Sequence, residues 1–135
     1  MPEASVRHVF VYGTLRRGGR NDINRLSPAP AYVGTGSVQG RLYPLGWYPG
    51  LALGGDDAVA VTGEVYRIAP ALEAVLDAIE EVRPDADSEY FKREQPIEVQ
   101  GRTILCLLYE INPTRVHGLQ PLAQGDWLAF HQAQL

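Results

Sequence analysis

"APALEAVLDAIEEV", residues 69–82, is the stretch on which the fold class turns. Pro70 suits the first turn of a helix, where its missing N–H would have had no partner. Leu72, Val75, Leu76 and Ile79 recur at helical spacing, so one face is apolar. The spacing predicts one helix that packs by this face against a sheet. Around it the pattern changes. Short runs rich in β-branched and aromatic residues, bounded by Gly and Pro, predict strands at 6–12, 32–38, 40–45, 58–68, 96–99 and 103–111, with short helical turns at 21–26 and 125–131. Strands that mostly return by hairpins, with one packed helix, predict an α+β fold. Its sheet is small and mostly antiparallel, and able to curl into a closed barrel. Residues 1–135 read as a single domain, because no linker, repeat or low-complexity segment divides them.

Composition narrows the partners. With 45% hydrophobic residues the chain can bury a core, and a net charge of −4 argues against a broad footprint for nucleic acid or anionic lipid. Arg16, Arg17 and Arg20 form a local basic cluster, read either as surface charges in a turn or as support for an anion site. The single Cys106 lies inside the apolar run "ILCLLY", where a thiol behaves as a small hydrophobe. The start "MPEASVRHVF" lacks the layout of a signal peptide, and the longest apolar stretch, 104–109, falls far short of the roughly 20 residues that span a bilayer. The expectation is a cytoplasmic protein with neither membrane nor nucleic-acid partner, its oligomeric state left open.

There is no Gly-x-Ser-x-Gly elbow and no Walker loop, and "GTGSVQG" has the wrong spacing and context for a dinucleotide fingerprint. His8, His117 and His131 are far apart in sequence, so no metal site is expected. The helix carries the best candidate. At about 100° per residue Glu80 lies roughly 40° from Leu76, at the border of the apolar face, and Glu81 lies roughly 140° away, toward water. A carboxylate at such a border loses hydration, which raises its pKa toward the range useful to a general acid/base. The bland reading is that "EE" is a solvated helix end. Asp85, Asp87 and Glu89 read as a polar loop without a role.

Two loops complete the reading. "VFVYGTLRRGGRN", 9–21, is a strand that stops at Tyr12, Gly13, Thr14 and Leu15, where unpaired N–H groups and a glycine suit close approach by a carboxylate or oxyanion. In "LGWYPGL", 45–51, Trp47 and Tyr48 ahead of Pro49 and Gly50 either wall a pocket or cover the end of the core.

Taken in order, "VFVYGTLRRGGRN", "AYVGTGSVQGRLYPLGWYPGL", "VTGEVYRI", "LDAIE", "YFKR" and "GDW" resemble the γ-glutamylcyclotransferase-like (AIG2-like) family over nearly the whole chain. The resemblance implies that Glu80 is the catalytic acid/base and that the Tyr12–Leu15 box lines a substrate pocket, with Tyr48, Pro49, Gly50 and Tyr90 as further contacts. It also implies cyclisation of a small γ-glutamyl substrate to 5-oxoproline, without metal or cofactor. Two departures stand out. Glu81 occupies the place of a usual glycine, and either Tyr90 or Phe91 is the aromatic partner ahead of Arg93. The alternative is a non-catalytic module that binds a small carboxylate metabolite on the same scaffold.

Overall fold

The computed structural model describes residues 7–80 and 87–133. Six strands, β1 (Arg7–Val11), β2 (Ala31–Pro44), β3 (Pro49–Leu53), β4 (Val59–Ile68), β5 (Tyr90–Val99) and β6 (Arg102–Ile111), form one sheet in the order β1-β4-β2-β3-β6-β5. The sheet closes on itself. β2 pairs with β3 through residues 40–44 and with β5 at Gly36 and Ser37, and Glu110 of β6 is partnered by Leu51 of β3 and by Phe91 of β5, so β3 and β5 lie on opposite edges of β6. β6 then returns to β1, parallel, at Val9 and Leu107. The result is a small barrel, mostly antiparallel, with parallel pairings where β6 meets β1 and β3.

The expected strands are present, with three differences. The runs at 32–38 and 40–45 are one strand, β2, because Gly40 continues the ladder: the carbonyl oxygen of Ala52 lies 2.6 Å from where a Cβ would stand, so only glycine fits there without displacement. β3 lies in a segment read as loop, since Pro49 and Gly50 suppress the strand signal. β5 begins at Tyr90, well before the expected position 96, and pairs with β6 along its whole length. Its early residues Lys92, Arg93 and Glu94 carry no apolar alternation from which a strand is legible.

Alternation along the strands splits the core into two layers. On β1, Phe10 and Tyr12 point into the barrel with Leu42, Leu51, Val65, Ile97 and Leu108. Val9 and Val11 point outward, where they meet α1 (Pro70–Ile79). Leu72 and Leu76 of α1 are fully buried in this outer layer, against Val9, Val11, Ile68, Leu107 and Ile111. A second helix, α2 (Trp127–Ala133), seals the barrel with the fully buried Trp127. The expected helical turns at 21–26 and 125–131 correspond to a short 3-10 turn (Ile23–Arg25) and to α2. Among the described residues no helix is long and apolar enough to cross a membrane.

Candidate active site

Where β1 ends, a cavity of about 280 Å³ opens between the barrel wall and the C-terminal end of α1. Tyr12, Gly13, Thr14 and Leu15 line it from the strand-end loop, Tyr48 and Pro49 from the start of β3, Glu80 from the end of α1, and Tyr90 from β5. Eight of the nine residues read as site residues in the sequence therefore surround one space. Gly50 does not line it: a Cβ there would stand 2.8 Å from Ile111, so its smallness serves packing between β3 and β6.

The strand-end loop is held from several sides. Asn21 donates from its backbone amide to the Thr14 carbonyl (2.8 Å) and from Nδ2 to Thr14 Oγ1 (3.2 Å), and Ile23 N donates to the Leu15 carbonyl (2.9 Å). Gly13 is required by close approach, because a Cβ would stand 2.6 Å from the Pro49 ring. The amides of Gly13, Thr14 and Leu15 donate to no other described residue, which leaves a short run of N–H donors beside the cavity.

Behind the loop stands a network that the sequence reading does not contain. Buried Glu64 on β4 accepts from Arg16 Nε (3.1 Å), from the Arg17 amide (2.8 Å) and from the Tyr66 hydroxyl (2.9 Å), while Arg16 Nη1 donates to Asp126 Oδ1 (2.9 Å). Arg16 is thus spent on the scaffold. Arg17 stacks over Tyr32 and Arg20 over Trp47, at 4.7 and 4.6 Å from the ring centroids. Of the two readings of the basic cluster, neither is complete: one arginine is a buried tie and two lie on aromatic rings.

Glu80 follows α1 directly. Its amide donates to the Leu76 carbonyl (2.9 Å) and its backbone stays near helical values, so the turn continues and the side chain falls beside the apolar face. Rotation of α1 is fixed by Leu72 and Leu76 and by Asp77, which accepts from the Tyr109 hydroxyl (2.7 Å) and from Lys92 Nζ (3.0 Å). The Glu80 carboxylate has no hydrogen-bond partner among the described residues. Burial, and secondarily the negative charge of Glu89, push its pKa up from 4.5 to about 7. The negative end of the helix dipole acts in the same direction. Glu81, expected to point to water, lies outside the described residues, as does Asp85.

The tyrosines around this carboxyl stay protonated, since burial first and neighbouring groups second push Tyr12, Tyr90 and Tyr109 well above their ordinary value. Tyr12 donates to the Tyr109 carbonyl (2.6 Å) and accepts from the Leu51 amide (3.3 Å), and Tyr90 donates to the Pro49 carbonyl (2.7 Å). Tyr90 is the aromatic residue at the cavity; Phe91 instead stacks with Arg93, which pairs with Glu110 (3.0 Å). Asn21, Tyr109 and Glu89 also line the cavity. Asn21 closes the stretch "VFVYGTLRRGGRN", but nothing in the local sequence marks the other two. Trp47 and Tyr48 both line the cavity, so the loop read as 45–51 walls a pocket. Among the described residues no group of three His, Cys, Asp or Glu side chains is placed to hold a metal ion.

A closed barrel with one main helix defines a structural class. The molecule is similar to the crystal structure of an AIG2-like protein from Mus musculus, with a TM-score of 0.74 and 26% identity, over 90% of this chain and 88% of that one. The family model for gamma-glutamyl cyclotransferase, AIG2-like, matches residues 9–129, and the chain belongs to that family. A relative from Vibrio cholerae is 35% identical over 127 residues (88% of this chain, 93% of the relative). The gamma-glutamylcyclotransferase family protein YtfP of Escherichia coli K12 is 34% identical over 121 residues (89% and 95%).

Proposed function

We propose that the protein is a γ-glutamylcyclotransferase-type enzyme: it closes the γ-glutamyl group of a small substrate into 5-oxoproline and releases the attached amine or amino acid, with Glu80 as general acid/base. The observation that carries this reading is a carboxyl group without a hydrogen-bond partner among the described residues, tuned to about 7 and lining the same cavity as residues 13–15, whose backbone amides donate to no described residue. A group tuned near neutrality takes and returns protons with equal ease.

The nucleophile lies within the substrate. Its α-amine attacks its own γ-carbonyl carbon, forming the ring C–N bond, and collapse of the tetrahedral intermediate breaks the bond to the leaving nitrogen. The attacking nitrogen starts as an ammonium and ends as a lactam N–H, so it loses two protons; the leaving nitrogen gains two. Glu80 takes the first proton, which frees the lone pair, and hands one to the leaving nitrogen, and solvent balances the other. Amides of Gly13, Thr14 and Leu15 receive the α-carboxylate or the developing oxyanion. Folding the chain into attack geometry supplies much of the acceleration, since well-oriented intramolecular reactions reach effective concentrations on the order of 10⁵ M or more.

The test is to incubate the protein and its Glu80→Gln variant with a panel of γ-glutamyl amines and γ-glutamyl amino acids and to measure 5-oxoproline by mass spectrometry. Release by the native protein and not by the variant is expected. Binding of donors without product would favour the non-catalytic carboxylate-binding module.

A further inference from the structure

We propose that Glu89 is the ammonium-recognition residue of this site: its carboxylate receives the substrate's α-ammonium and selects γ-glutamyl compounds over the same amides lacking the amine. This rests on the γ-glutamyl reading of the cavity given above.

Charge is the first support. Among the described residues lining the cavity, the charged ones are Glu80 and Glu89, both acidic. Arg16 of the adjacent loop is tied to Glu64 and Asp126, Arg17 and Arg20 lie over the Tyr32 and Trp47 rings, and none of the three lines the cavity. Such a space repels a purely anionic ligand and favours one that presents a cation to the acidic wall and a carboxylate to the amides of residues 13–15.

The second support is the difference between the two carboxylates. Glu89 is anchored: the Tyr48 hydroxyl donates to its Oε2 (2.6 Å), and its backbone carbonyl accepts from the Asn112 amide (2.8 Å). Its Oε1 has no partner among the described residues. A carboxylate fixed through one oxygen and without a described partner at the other is a positioned acceptor, suited to orient an ammonium, whereas the Glu80 carboxylate, with no hydrogen-bond partner among the described residues, is suited to move a proton. Glu89 in turn adds its negative charge to the forces that raise Glu80. An ammonium held by Oε1 presents its remaining N–H groups to Glu80, the group that takes the proton.

The experiment is calorimetric titration of the full chain, and of its Glu89→Gln and Tyr48→Phe variants, with two probes: L-glutamine and glutaramate, the same amide without the α-amine. A hydrogen bond between charged partners predicts a native preference for L-glutamine of about tenfold or more. Glu89→Gln should erase most of that preference while binding glutaramate at least as well, and Tyr48→Phe should erase part of it. A preference that survives in Glu89→Gln overturns the assignment. So does equal loss of both probes in Glu89→Gln and Tyr48→Phe, which marks a structural role. Native protein that binds both probes equally also overturns it, and leaves the γ-glutamyl reading intact. Native protein that binds neither counts against that reading itself.

Discussion

Glu64 and Glu80 are two glutamates drawn in from solvent at either side of one loop. Glu64 ties residues 16 and 17 to β4 and has its charge answered by Arg16, by a backbone amide and by the Tyr66 hydroxyl. Glu80 faces the cavity lined by residues 12–15, without a described partner, and its pKa climbs to about 7. Withdrawal from water therefore has opposite consequences in the two. A sheltered carboxylate with partners becomes part of the frame, and one without them becomes reactive and costs stability whenever it is charged.

The largest effect should come from silencing the reactive member. Glu80→Gln keeps shape and removes the proton shuttle, so the rate of 5-oxoproline release should fall about 10²–10⁴-fold, with the circular dichroism spectrum unchanged. A loss of fold instead would make Glu80 a second Glu64. Breaking the frame member should do the reverse: Glu64→Ala leaves Arg16 buried without its main partner and should lower stability by about 3–5 kcal/mol in denaturant titration. Arg16→Met added to it should recover part of that loss, which a merely local packing defect would not allow.

The pH dependence sharpens the contrast further. The folded pKa of Glu80 is raised above its unfolded value, so the stability this group contributes is fully present below pH 4.5 and is lost as pH rises through about 7. The step from 4.5 to about 7 caps the loss at roughly 3 kcal/mol. Glu80→Gln should therefore match the native protein near pH 4 and exceed it by up to that amount at pH 8, measured by denaturant midpoints. The smallest effect falls on the loop between the two glutamates. Gly13→Ala pushes a methyl group into the Pro49 ring and should cost about 1–3 kcal/mol, together with weaker ligand binding.

How much of this was legible in the sequence depends on how local each feature is. The periodicity of Leu72, Val75, Leu76 and Ile79 lies within one helix, so both α1 and the inward bias of Glu80 follow from neighbours a few positions apart. The Tyr12–Leu15 loop is similarly announced by the abrupt end of an apolar run. β3 and the first half of β5 are not announced, because their pairings with β2 and β6 override a Pro-Gly start and a charged run. Glu89 reads as one more acid in a polar loop. Its place at the cavity depends on Tyr48, 41 positions away, and on Asn112, neither of which its own surroundings suggest. Gly50 misleads for a related reason: it sits beside pocket residues in sequence, yet its neighbour in space is Ile111.

The most direct test of the central claim is the pH profile of kcat/KM for 5-oxoproline release from a turned-over γ-glutamyl donor. In the free protein Glu80 must be ionised to accept a proton, so the profile should rise with pH and reach half its plateau near 7. A profile with no acid limb between about pH 5 and 8, or the same limb retained in Glu80→Gln, would contradict the account.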